Sequence, residues 1–235
     1  MRKLLLAVVS LSLGTAAPAF AADKGGAKKG NVLLQMAADY LHHPQRDLAV
    51  IATAVPYTTD NVQGAAALVR VADGSDGGNP TCHLLQLEGR AGAPGKILSE
   101  LQFSVCPRYD KDQKQGGLER VNLSSKWGAW RVHLFSQRMD SMAKGVETSV
   151  LWGMAADLGD GQLKLVFERT STTFKSQEDK KLNQSEVCQQ PILRVGADPE
   201  GLTIVCDSET MLGNLPKKLK STLDYTWQGD RYLPK

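Results

Sequence analysis

The chain is poor in the features by which function is usually read. It has no Gly-x-Ser-x-Gly, no His-Glu-x-x-His, no phosphate-binding Gly-x-x-x-x-Gly-Lys-Ser/Thr and no Cys-x-x-Cys, so the common signatures of hydrolases, zinc proteases, nucleotide-binding loops and dithiol redox centres are missing. Beyond the N-terminus no apolar run approaches the roughly 20 residues needed to span a bilayer as a helix. Neither sign of charge dominates. Lys+Arg number 28 and Asp+Glu 25; removing Arg2 and Lys3 leaves 26 against 25, a formal charge of +1. A near-neutral chain carries no electrostatic footprint for nucleic acid.

What is present begins with Met1-Arg2-Lys3, an apolar run from Leu4 to Leu13, and Ala19-Phe-Ala-Ala22. A short positive region, an apolar core and a small-residue cleavage site predict a secretory signal peptide over 1–22. No cysteine stands at that site to take a lipid. The Gly/Lys stretch from Lys24 to Gly30 reads as a flexible linker, 23–31. The location implied is periplasmic or secreted, and all four cysteines fall in the exported part, where disulfides are the default.

Those cysteines organise the rest. Cys188 and Cys206 bracket a hairpin pattern. If they face each other in an antiparallel pair, Ile192 opposes Leu202, Arg194 opposes Glu200, and Ala197-Asp-Pro199 occupies the turn. Directly opposed positions have a Cα separation a disulfide tolerates. Cys82 and Cys106 bracket a second such pattern, in which Leu85 opposes Phe103, Leu87 opposes Leu101 and His83 opposes Val105. The preferred pairing among the three that four cysteines allow is therefore Cys82–Cys106 and Cys188–Cys206. The cysteine offsets are 188 − 82 = 106 and 206 − 106 = 100. Ala66–Ala72 precedes the first pair as Leu163–Arg169 precedes the second, and Leu48–Val55 matches Thr148–Met154, so the pattern reads as one repeat used twice.

Ten short strand candidates follow from composition and period: Leu48–Val55, Ala66–Ala72, His83–Glu88, Glu100–Val105, Ala129–Phe135, Thr148–Met154, Leu163–Thr173, Ile192–Val195, Leu202–Val205 and Thr222–Trp227. Gly, Asp, Asn and Pro clusters separate several of them. Val32 to Leu41 has apolar residues at helical spacing, ended by His42-His43-Pro44. The expected fold is mostly β: antiparallel sheets from two copies of a roughly hundred-residue, disulfide-tied hairpin unit, a sandwich or propeller-like stack, with a short N-terminal helix. The units would span 32–125 and 126–235.

The stretch Met154-Ala-Ala-Asp157-Leu-Gly-Asp160-Gly-Gln-Leu-Lys-Leu-Val166 resembles the FG-GAP/VCBS repeats of exported β-propeller-like proteins, which run an acidic, glycine-containing turn into an apolar strand. Arg46-Asp47-Leu-Ala-Val-Ile51 looks like the strand start of another repeat, and Tyr225-Thr-Trp227-Gln-Gly-Asp-Arg-Tyr232 like an aromatic strand end. The resemblance implies a Ca²⁺ site in the acidic turn. Calcium takes six to eight oxygen ligands, and the turn here is shortened to Asp157 and Asp160, so the residues read as a plain turn. Two repeats do not close a propeller, which typically has four to eight blades.

Candidate chemical residues are few. His42 and His43 are adjacent and diverge on a regular element. His83 reads as a strand packing residue, and His133 alternates with Arg131 and Phe135. Trp127, Trp130, Trp152 and Trp227 read as core; Trp130, Val132 and Leu134 share one strand face. Lys217-Lys218-Leu-Lys220 reads as a solvated loop. No cofactor, catalytic residue or metal ligand is assigned. The expected function is a non-enzymatic binding or cell-envelope component, with an envelope or extracellular protein as partner; the alternatives are a secreted hydrolase with dispersed residues, or a carbohydrate-binding module. Cell fractionation is expected to recover a form beginning at Ala22 or Asp23 outside the cytoplasm; intact Met1 protein in the cytoplasm would refute the export reading.

Overall fold

The computed structural model describes residues 32–54, 64–72, 80–90, 93–107, 116–123, 128–140, 144–179, 182–194, 200–212 and 215–235. The expected signal peptide and linker, Trp127 and the turn at 197–199 lie outside them.

Helix α1, Val32–Leu41, has the bounds its apolar spacing indicates. It buries Ala37 and Ala38. His42 takes a left-handed φ of 57°, and the His43 N–H closes back on the Ala38 carbonyl at 3.1 Å. That six-to-one bond across a left-handed residue is a Schellman stop, and Pro44 then forbids continuation.

Four strands follow in a meander: β1 Leu48–Ala54, β2 Gly64–Val71, β3 Thr81–Arg90 and β4 Ala93–Phe103. The second sheet holds β5 Gly116–Asn122, β6 Gly128–Asp140, β7 Gly145–Asp157, β8 Leu163–Ser176, β9 Gln184–Cys188, β10 Ile192–Arg194, β11 Gly201–Leu212, β12 Leu215–Trp227 and β13 Tyr232–Pro234. Its order is β13-β12-β11-β9-β8-β7-β6-β5, with β10 beside β11, and every pairing is antiparallel. The sheet does not close into a barrel. Each of the ten strand candidates overlaps a strand, with Val55 and Val195 outside the described residues. Gly116–Asn122, inside the first unit as read from sequence, is the edge strand of the second sheet.

The two-copy pattern has a topological counterpart. β1-β2-β3-β4 and β7-β8-β9-β11 are both four-stranded antiparallel meanders. In each, a disulfide ties the third strand to the chain at or just past the fourth: Cys82–Cys106, with Cα atoms 5.1 Å apart, and Cys188–Cys206, 4.0 Å apart.

The packing makes layers. Helix α1 and one face of the first sheet share a cluster containing Ala37, Val69, Val71, Leu85, Leu87 and Ile97. The other face of that sheet, with Leu68, Cys82, Leu84 and Phe103, meets Trp130, Val132, Leu134, Leu151 and Ala155 of β6 and β7. The opposite side of β6–β8, with Met154, Ala156 and Phe167, is covered by Cys188, Leu202, Ile204, Cys206 and Tyr232 of the same sheet. Phe167 on β8 and Tyr225 on β12 stand edge to face with ring centroids 5.1 Å apart. In a flat sheet three strand steps at about 4.8 Å would part them by roughly 14 Å, so the second sheet bends back on itself. Tyr232 lies at this cover, and burial, with Glu200 contributing less, pushes its phenol up to about 12.

Both hairpins depart from their expected registers. In the first, Cys82 opposes Phe103, Leu84 opposes Leu101 and Leu85 opposes Glu100; His83 opposes Gln102, not Val105. From Cys82 to Gln86 the shift is three residues, an odd number, so the β4 side chains paired there change face relative to β3; past a bulge at Gln86/Leu87 the shift is four. The expectation assumed that bridged cysteines oppose each other, whereas Cys106 lies past the end of β4. The sequence could not expose the error, because β3 is central and apolar on both sides; Leu84 and Leu85 are both fully buried. In the second hairpin Cys188 does oppose Cys206. After Gln189, whose N–H reaches the Val205 carbonyl at 2.8 Å, and Pro191, which has no N–H, the pairing slips by one residue. Ile192 then opposes Thr203, Leu193 opposes Leu202 and Arg194 opposes Gly201. Leu193 packs inward and Ile192 is 61% exposed. Arg194 lies across Gly201 and reaches Asp224 at 3.3 Å.

Non-reducing peptide mapping is expected to find the two local bridges, and a Cys82–Cys188 link would overturn the two-copy reading. The bridges span 24 and 18 residues of sequence. Cys188→Ser should cost about 3 kcal/mol by the chain-entropy argument. Because Cys206 is fully buried, its freed thiol should label only after denaturation.

Candidate functional site

The long hairpin β6–β7 extends further than the first sheet covers. Apolar alternation on the covered side ends at Leu134 and Leu151, a directly opposed pair. The same face then continues in polar residues, Ser136 opposite Ser149 and Arg138 opposite Glu147. Across from them the first sheet ends in Pro80, Ser104, Val105 and Cys106. Together these eight residues line an open cleft of 210 Å³.

Three contacts fix its walls. Phe103 at the end of β4 sits on Gly153 of β7, where an added Cβ would stand 2.8 Å from the Phe103 ring; only glycine allows the sheets so close. The Ser104 hydroxyl donates to the Glu168 carboxylate, and the Cys82–Cys106 bridge pins the segment that carries Ser104. Arg138 and Glu147 pair at 3.3 Å, 56% and 32% exposed. Hydroxyls and one compensated ion pair can hold a polar partner through hydrogen bonds. The lining contains no histidine or thiolate to act as a base or nucleophile. Ser104, Ser136 and Ser149 were not singled out from sequence. The available sign was a period-two pattern that persists after its apolar members end.

Two of the sequence-derived histidines lie elsewhere. His83 stands on the outer face of the first sheet, where its Nδ1 is 2.5 Å from Glu100 Oε1 and its Nε2 is 2.8 Å from Thr81 Oγ1. The Glu100 carboxylate accepts from Nδ1–H, and Nε2 shares a hydrogen bond with the Thr81 hydroxyl. None of the three lines the cleft. His133 stacks on Trp152, centroids 4.3 Å apart and planes 16° from parallel. Beside it Arg131, 12% exposed, donates to Glu119 at 2.5 Å, and the Trp152 indole donates to the Cys188 carbonyl at 3.2 Å. His42 and His43 close the helix. Trp130 is buried in the core, and Trp152 and Trp227 are half-buried against the other cluster.

The acidic turn is closed by its own bonds. Asp157 Oδ1 accepts the N–H groups of Gly159 and Gly161 at 2.8 and 2.9 Å, and both glycines have positive φ. Asp160 accepts from Gln162 and pairs with Lys164 at 2.5 Å. Lys164 is the main cause, with the Gln162 N–H second, that holds the Asp160 carboxyl below the ordinary 3.8. The sign follows: the pair supports the fold above that pH and loses its contribution as pH falls through the lowered value. Glu186, Cys188 and Cys206 bring potential ligand atoms within 4.8 Å of one another, but the two sulfurs are bonded together and Glu186 is paired with Arg169 at 2.5 Å. The Lys217-Lys218-Leu-Lys220 cluster is not a loop. It lies in β12, on an edge that β13 leaves uncovered, since β13 pairs only with Tyr225–Trp227.

Comparison with known protein families, with curated proteins and with solved structures finds no match to this chain.

Because the turn's carboxylates are engaged within the chain, millimolar Ca²⁺ or EDTA is expected to leave Tm unchanged. A rise of several degrees with Ca²⁺ would show that the turn opens to coordinate the ion.

Proposed function

We propose that the chain is an exported, disulfide-braced β protein that acts by holding a partner, as a binding or structural component of the cell envelope or its surroundings. The cleft between the end of the first sheet and the β6–β7 overhang carries this reading. It is rimmed by hydroxyls and open to solvent, which suits reversible capture of a polar partner through hydrogen bonds. Export is supported by the N-terminal pattern and the two disulfides. Among the described residues no helix is long and apolar enough to cross a membrane. The resemblance to FG-GAP/VCBS repeats adds a link to exported proteins.

A second reading has one observation behind it. The Thr81–His83–Glu100 chain has the order of a hydroxyl, a base and an orienting carboxylate, which is the arrangement a secreted hydrolase would need. The same three groups also serve as a polar brace between β3 and β4.

Cross-linking and pull-down from envelope fractions with the tagged mature chain should recover a specific partner. Ser136→Trp, which fills the cleft from the half-buried β6–β7 overhang, should abolish recovery with the far-ultraviolet circular dichroism unchanged. Hydrolysis of p-nitrophenyl acetate that disappears in His83→Gln, with no partner recovered, would replace binding by turnover.

A further inference from the structure

We propose that the cleft holds a neutral glycan, a chain or branch of uncharged hexose units. This rests on the cleft being a binding site and names the chemistry of what fills it.

The cleft floor continues past its lining onto β8. Ser136, Ser149 and Thr172 oppose one another in turn across β6, β7 and β8, and the Ser149 and Thr172 hydroxyls stand 3.5 Å apart. They make a row of hydroxyls stepped at the strand spacing of about 4.8 Å. In the next row Arg138 opposes Glu147, and Glu147 opposes Phe174. Phe174 is half-buried, and its ring lies over Gly145, where an added Cβ would overlap it. Glycine at that position lets the ring settle against the sheet. One face thus brings together hydroxyls, a guanidinium beside a carboxylate, and an aromatic ring. The aromatic component is Phe174, since Trp130, Trp152 and Trp227 belong to the packed clusters.

Each class of ligand meets this surface differently. A carboxylate or phosphate group only accepts hydrogen bonds, and it would face Glu147 and, beside Ser104, Glu168. An ammonium only donates, and it would face Arg138. A sugar hydroxyl does both. It accepts from Arg138 while donating to Glu147, and its neighbours pair with the serine and threonine hydroxyls, which also do both. The C–H face of a pyranose ring covers Phe174 and removes apolar surface from water. A peptide is gripped along its backbone by main-chain groups at a sheet edge. The floor here is a sheet face, and at Ser149 the β7 strand is paired on both sides, so its main-chain groups are already engaged. Amides brought into the cleft would lose water without equivalent partners. A hexose carries no amide.

The mature chain should bind at least one series in an array of immobilised neutral oligosaccharides of glucose, galactose and mannose, and not their sulfated forms. High salt should leave that binding unchanged, because the ligand carries no charge to screen. Thr172 is exposed, so Thr172→Val should keep Tm and weaken binding about fivefold, the loss of one hydrogen bond. Ser136→Trp should abolish it. Binding retained in full by both variants, or a preference for the sulfated forms, would overturn the proposal. Failure to bind any neutral series, with partner capture still lost in Ser136→Trp, would overturn the glycan and leave the cleft standing as a binding site. Absence of both glycan binding and cleft-dependent capture would overturn the two readings together.

Discussion

Everything in this fold depends on the three strands β6–β8 being covered on both sides. Met154, Ala155 and Ala156 follow one another in β7 and all are fully buried. Successive strand residues point to opposite faces, so no single covering layer can bury all three. The first sheet covers Ala155, and the returning half of the second sheet covers Met154 and Ala156. Taking either cover away would return a full face of apolar surface to water, at about 25 cal/mol per Å². The small side chains at 153, 155 and 156 are what let two covers approach one strand so closely.

The positions of the polar features follow from this constraint. The covers are shorter than the strands they cover, so β6 and β7 run on past the first sheet, and their inner face turns from leucine to serine where the cover stops. That step in length is the cleft. The same excess of strand length leaves the β11–β12 ribbon projecting past β9. Chemistry on this molecule therefore collects at the ends of its layers, since the layer interiors are filled by apolar packing and closed by the two disulfides.

Much of the local structure was legible. Helix Val32–Leu41, the ten strand positions and both cysteine pairings follow from period, punctuation and spacing. The missed strands show where such reading stops. β5 contains Gly-Gly-Leu-Glu-Arg-Val-Asn and has little apolar alternation; it is a strand because β6 offers it a full edge. β13 is three residues long and is held by Trp227 and its neighbours. The cleft was invisible because serines 104, 136 and 149 have no meaning until two sheets bring them together. His83 was read as a packing residue, and its bonds to Glu100 and Thr81 depend on a register set by tertiary packing.

Residue order by itself determined the helix, most of the strand positions and which sulfurs meet, because these rest on contacts between near neighbours in sequence. Only the tertiary structure decided the registers, the faces and the cleft. A central strand that is apolar on both sides fits its partner almost equally well after a slip of one or three residues. The choice between such registers is made by the layers packed above and below.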